Sequence, residues 1–226
     1  MLVRHIKIKQ LTVATKKSNS NSDRLIMEYP LTICFDDKRF LAAICPQFVD
    51  FFVHGLIYNH TRSITGLHLQ NTDPNTITVT RNPDRAHTLS IDASVPSGIQ
   101  PDTLIHWMHL FKDGQSLYRQ TGATESVGIL LSDQSVLTIE CLSMESATLK
   151  LVGALLKKDC HAYPVVFMSH ALKNRSQPLI DLLNPAIIMC QSAISAHFLD
   201  DCITHQRTLF GFCRKSTYNR YTNFHL

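Results

Sequence analysis

A mixed α/β fold, α+β overall, is what this chain predicts, and three observations lead there. Strand-like and helix-like segments alternate in its second half, the rhythm of a partly parallel sheet with helices packed on its faces. The first half holds short alternating segments separated by Asn, Asp and Pro turns, a sign of antiparallel pairing. Between the two, residues 121–153 join a hairpin to a helix that is apolar over most of its surface. The division falls near residue 110. Residues 1–110 form a β-rich N-terminal part, with one helix after Pro46 and one after Pro101, and residues 111–226 form an α/β part.

Each element has its own signal. Residues 1–14 read as a strand, followed by the polar loop Lys16 to Asp23. Arg24 to Phe35 and Phe40 to Cys45 are strand-like runs on either side of the turn Asp36-Asp37-Lys38-Arg39. Pro46 suits a first helical turn, and Phe48, Val49, Phe51, Phe52, Leu56 and Ile57 give that helix a wide apolar face. Residues 63–70, 75–80 and 87–92 predict a small antiparallel sheet. Pro101-Asp102 opens a helix that Gly114 closes.

Val127–Leu131 and Val136–Leu142 flank the turn Ser132-Asp133-Gln134-Ser135 and predict a hairpin, whose second run is expected to be a central strand. Ser143 stands where an N-cap belongs, before a helix that continues to about Leu156. On that helix Ser146, Lys150, Gly153 and Lys157 share one face, and leucines, Met144 and Val152 cover most of the rest. Then come a strand at Pro164–Met168, a helix at Lys173–Leu183, a strand at Ala186–Cys190, a helix at Ser195–Thr204 and a last strand at Thr208–Phe212.

Composition narrows the function classes. The chain has 226 residues, 44% hydrophobic and 18% charged, which predicts a soluble globular protein. No run approaches the roughly 18 uninterrupted apolar residues of a membrane span. The N-terminus alternates apolar and basic residues without an apolar signal core, so a cytoplasmic location is expected. A formal charge of +4 falls short of a nucleic-acid footprint. The seven cysteines are odd in number and scattered, with no CxxC, the pattern of reduced thiols.

Motifs for common chemistries are missing. Neither GxGxxG nor GxxxxGK[ST] occurs, the zinc-deaminase signature is absent, and no GxSxG elbow marks a hydrolase. An unrelated hydrolase or deaminase therefore has no signature here. His106 and His109 are three apart on one helix, but no cysteine or carboxylate at suitable spacing joins them, and no metal site is expected. Cys160-His161 are neighbours in sequence, which seldom face each other. Arg214 and Lys215 after the last strand suit a phosphate, through basic side chains and main-chain N–H groups.

Several stretches, in order, resemble the FdhD/NarQ family, the accessory sulfurtransferases of formate dehydrogenase. Glu28-Tyr29-Pro30-Leu31-Thr32-Ile33 is similar to its E-x-P-L-x-I, followed by Cys45-Pro46 and Gly55-Leu56-Ile57. Thr121-Gly122-Ala123 resembles T-G-G. Residues 140–153 overlie a central motif of which Glu140, Ala147, Lys150 and Gly153 are kept. Thr208 to Arg214 is close to T-L-x-G-F-x-R, and Asn219-Arg220-Tyr221-Thr222 to the N-x-Y-T that follows.

The resemblance implies a cytidine-deaminase-like three-layer α/β/α C-terminal domain beside the smaller β-rich part, and a homodimer. It implies sulfur passage from a cysteine desulfurase to the molybdenum bis(molybdopterin guanine dinucleotide) cofactor of formate dehydrogenase. Contact to that cofactor, or to a GDP-like nucleotide, would fall on Phe212, Cys213, Arg214, Lys215, Ser216 and Thr217, with no protein-bound metal. The sequence departs from the family where its loop cysteines belong, because no cysteine occurs between Cys45 and Cys141. Cys141 is the leading substitute thiol, at a strand end beside a helix N-terminus, where the dipole favours a thiolate. Cys45 and Cys213 are the others. The alternative is a non-catalytic scaffold that holds formate dehydrogenase or a desulfurase and transfers nothing.

Overall fold

The computed structural model describes residues 3–12, 17–45, 47–62, 64–87, 89–158, 160–173, 177–214 and 216–226. It is a mixed α/β architecture built on three sheets. Strands β1 (Val3–Thr12) and β2 (Lys17–Ile26) form an antiparallel ribbon with Val3 opposite Ile26 and Thr12 opposite Lys17. The expected polar loop from Lys16 to Asp23 is therefore mostly strand. Main-chain pairing with β1 outweighs the lack of apolar alternation in Lys17–Asp23.

The second sheet has the order β4-β3-β6-β5. Strands β3 (Tyr29–Phe35) and β4 (Lys38–Ile44) are joined through Asp36 and Asp37, both with positive φ, as a two-residue primed turn requires. Strands β5 (Ile64–Asp73) and β6 (Thr76–His87) pair antiparallel, and β6 also runs parallel to β3. The sequence predicted three strands over residues 63–92. Among the described residues the third is not a separate strand of this sheet: β6 extends to His87, residue 88 lies outside the described residues, and Ile91 bridges Ala162 of the other sheet. The backbone of Ser90 and Asp92 finds its partners on Ala162.

The six-stranded sheet has the order β12-β11-β10-β9-β7-β8. Strands β7 (Glu125–Leu131) and β8 (Val136–Cys141) form the predicted hairpin. It lies at the end of the sheet, however, so β8 is an edge strand where a central one was expected. Helix α4 (Met144–Lys158) crosses from β8 over β7 to reach β9 (Ala162–Met168), which leaves the hairpin outermost. Strands β9, β10 (Ile187–Cys190) and β11 (Thr208–Gly211) are parallel, and β12 (Asn219–Arg220) returns antiparallel.

The helices form layers on this sheet. Helix α2 (Pro101–Asp113) buries Leu104, Trp107, Met108 and Phe111 on one face, against Leu130, Val165, Phe167, Ile187, Met189 and Phe210. Gly114 closes the helix, as expected. Its φ is −68°, and its lack of a side chain answers a packing need: a Cβ there would lie 2.5 Å from Thr138 Cβ. Helix α4 and helix α6 (Ala196–Thr204) cover the other face, α6 capped by the Ser195 hydroxyl, which accepts from Phe198 N at 3.3 Å. Short α3 (Ser116–Thr121) went unseen in the sequence. The helix expected over Lys173–Leu183 is a single turn, α5 (Gln177–Ile180), ended as the chain turns through Asn184 at positive φ. Residues 174–176 of that expectation lie outside the described residues.

Helix α1 (Val49–Thr61) packs across α4 and carries the four-stranded sheet on its far side. Pro46, expected to open it, lies outside the described residues; the N-cap is Phe48. Two glycines set the crossing. A Cβ on Gly55 would come within 1.8 Å of Leu149 O, and one on Gly153 within 1.8 Å of Phe51 O. The two backbones touch at both points. Gly153→Ala is therefore expected to destabilise the fold by about 3 kcal/mol, the upper part of the usual overpacking range, measured by urea unfolding.

Candidate functional site

Strand direction gathers the functional candidates along one border. The carboxyl ends of β8, β9, β10 and β11 (Cys141, Met168, Cys190 and Gly211) and the start of β7 share an edge, since Glu125 pairs with Cys141 and Val127 with Met168. Ligand sites of open α/β sheets usually lie on this side.

At one end of that edge stands Cys141, 1% exposed. Ser143 follows it as the predicted N-cap of α4, its hydroxyl accepting from Ser146 N at 3.2 Å. Facing Cys141 is Cys45, which follows β4 and has no exposed surface, with the two sulfurs 3.5 Å apart. The third member is Lys150, also fully buried. Its Nζ donates to Gln47 O at 2.7 Å, to Cys45 O at 3.1 Å and to Cys45 Sγ at 3.1 Å. The side chain can sit there because Gly55 and Gly153 bring α1 and the segment before it onto α4.

The electrostatics follow from this contact. The two sulfurs share a hydrogen bond in which either can donate. That bond, with the Lys150 charge nearby, pulls the Cys141 thiol well below its ordinary value in spite of its burial. The same bond, with burial, pushes Cys45 up. Helix-dipole reasoning singled out Cys141 from the sequence, but the hydrogen bond with Cys45 and the ammonium are the causes seen here. The other buried thiols lack such an arrangement: burial pushes Cys190 up to about 11, and Cys202 and Cys213 up to about 12.

The nucleotide candidates lie at the other end of the edge. Phe212, Cys213 and Arg214 leave the end of β11, with Phe212 at φ 51°. Phe212, Arg214, Ser216 and Thr217 are exposed and Cys213 is buried, its carbonyl accepting from Lys112 Nζ at 3.3 Å. Arg214 N donates to Thr217 O at 2.7 Å, closing a tight turn. Lys215 lies outside the described residues. Strand order separates this turn from Cys141 by four strand spacings, roughly 19 Å at about 4.8 Å each. Thiol and turn are two places, not one pocket.

Other candidates resolve into structural roles. Glu140 accepts from Leu117 N at 2.8 Å, Tyr118 N at 2.7 Å and Thr124 Oγ1 at 3.0 Å, anchoring the start of α3. His106 and His109 are exposed on α2, and no group of three or more His, Cys, Asp or Glu among the described residues could hold a metal. His161 Nδ1 is 2.7 Å from Ser90 Oγ, whereas Cys160 turns to Lys158 O, so these neighbours do not pair. Among the described residues no helix is long and apolar enough to cross a membrane.

The contact between Cys45 and Lys150 is what sequence reasoning missed. Its signal was a lysine, a glycine and a second lysine sharing the one polar face of an otherwise apolar helix.

A six-stranded sheet between helical layers, with a second sheet docked through α1, places the protein in a defined structural class. The fold is that of a crystal structure provisionally described as a formate dehydrogenase accessory protein from Desulfotalea psychrophila. The TM-score is 0.77 at 14% identity, over 99% of this chain and 98% of that one. No family model and no curated protein matches the sequence.

The thiol pair makes a titration prediction. Because the folded state lowers Cys141, the stability it contributes is present above the ordinary thiol value of 9.0 and is lost as pH falls through its lowered one. Cys45 acts in the opposite sense, contributing below its ordinary value and losing that contribution as pH rises through its elevated one. Native protein should show thiolate ultraviolet absorbance at neutral pH, and acid titration should remove it with a midpoint below that of an ordinary thiol. Lys150→Met should move that midpoint upward and, by removing a donor from two buried carbonyls, cost about 1–3 kcal/mol in urea unfolding.

Proposed function

We propose that this protein is an accessory factor in the maturation of formate dehydrogenase, handling sulfur or the molybdenum bis(molybdopterin guanine dinucleotide) cofactor. The observation that carries this reading is the shared fold over nearly the full length of both chains. The ordered motif resemblance supports it independently. In this reading Cys141 is the sulfur acceptor, with Lys150 holding charge beside the thiol pair, and a cysteine desulfurase is the donor. The turn at 212–217 would take the guanine nucleotide, with Arg214 on phosphate and the exposed ring of Phe212 stacking on the base. The protein would act as a cytoplasmic homodimer.

A second reading has an observation of its own. Both sulfurs are buried, Cys45 at 0% and Cys141 at 1% exposure, which suits a scaffold that holds its partner enzyme and transfers nothing.

Incubation with a cysteine desulfurase and free cysteine, followed by mass spectrometry, separates the two. Transfer predicts an adduct of about 32 Da, one sulfur atom, on Cys141 that is lost in Cys141→Ala. No adduct on any cysteine selects the scaffold. For the binding half, calorimetry with GDP should give saturable heat that Arg214→Ala reduces about tenfold in affinity, the loss of one charge-assisted hydrogen bond. Absence of heat at millimolar nucleotide would remove the 212–217 assignment.

A further inference from the structure

Buried lysines are rare, and a buried lysine whose ammonium rests on a sulfur is rarer. Lys150 Nζ lies 3.1 Å from Cys45 Sγ, which lies 3.5 Å from Cys141 Sγ, in a site where all three side chains are sealed from solvent. The two cysteines are 96 positions apart, one just after β4 and the other at the end of β8. Their contact exists only because the α1–α4 crossing brings the two layers together. A disulfide requires the sulfurs to close to about 2.05 Å, a movement of roughly 1.5 Å.

We propose that Cys45 and Cys141 form a redox-active dithiol whose oxidation by a small hydroperoxide staples the four-stranded sheet to the six-stranded one. The Cys141 thiolate attacks the peroxide O–O bond, forming the sulfenic acid and releasing hydroxide. Cys45 then gives up its proton and attacks Cys141 Sγ. The S–S bond forms as the S–O bond breaks, and water leaves. Each sulfur loses one electron, and the two electrons reduce one peroxide to water and hydroxide.

Hydrogen peroxide is the oxidant the site suits, because it is small and needs the least opening to reach two sulfurs at 0% and 1% exposure. Ile44, the residue before Cys45, and Val49 line a cavity of ≈ 580 Å³ on the four-stranded sheet, giving a small molecule room beside that segment. Cys34 and Cys160, which are partly exposed, provide the internal competition. Burial alone would protect Cys45 and Cys141 and leave those two to react first.

The test uses the full chain, with no desulfurase, nucleotide or partner enzyme, so its outcome is independent of the maturation role. Reduced protein is titrated with hydrogen peroxide, unfolded in an alkylating agent and mapped without reductant. The expected product is a linked peptide pair containing Cys45 and Cys141, about 2 Da lighter than the two thiol peptides, restored by dithiothreitol. In Cys45→Ser the reaction should stop at a sulfenic acid on Cys141, trapped by dimedone. If Cys34 or Cys160 is consumed while Cys45 and Cys141 remain alkylatable, the proposal is overturned. A sulfenic acid trapped elsewhere in Cys45→Ser would overturn the order of attack.

Discussion

Two helices whose backbones touch govern the rest of this molecule. At the crossing of α1 and α4 there is no room for a methyl group at Gly55 or Gly153, and each glycine lies against a carbonyl of the other helix. Close approach removes the side-chain layer that usually separates packed helices. A long side chain at position 150 then has nowhere to go except into the segment that enters α1. An isolated ammonium there would cost several kcal/mol in desolvation. Two carbonyl oxygens and a sulfur meet it instead, so the charge is both buried and satisfied.

The same contact changes the meaning of the residues that resemble the FdhD/NarQ central motif. Of the four kept, Ala147 and Gly153 are packing residues with no chemistry, and Glu140 anchors α3 through main-chain N–H groups. Lys150 joins packing to chemistry. The thiol pair lies where this lysine enters the interface. Farther out on this face, Lys157 meets Asp50 at 2.6 Å and holds its carboxyl below the usual range despite partial burial. The line Lys150, Gly153, Lys157 therefore runs from the sealed interior to the rim of the α1 interface.

Much of the architecture could be read from local pattern. Ser143 caps the helix it was expected to cap, and the β7–β8 hairpin, α2 and the three parallel strands fall where periodicity put them. The failures share a cause. Lys17–Asp23 is a strand because β1 pairs with it, Ile91 belongs to Ala162, and β8 is an edge because α4 leaps over β7. Each depends on a partner distant in sequence, which no local window contains. The candidate site divides in the same way: Cys141 could be picked out beside a helix start, whereas Cys45 gained its meaning only from Lys150.

From its sequence alone the chain determines most of its strands and helices, because side-chain alternation and capping are local properties of neighbouring residues. It also determines that α4 has a single polar face. Whether that face would meet water or protein was decided by tertiary structure, since only the docking of α1 turns a solvated-looking lysine into a buried cation. The distance between two sulfurs, and the charge they share, is likewise a property of packed layers. No order of residues along a chain records it.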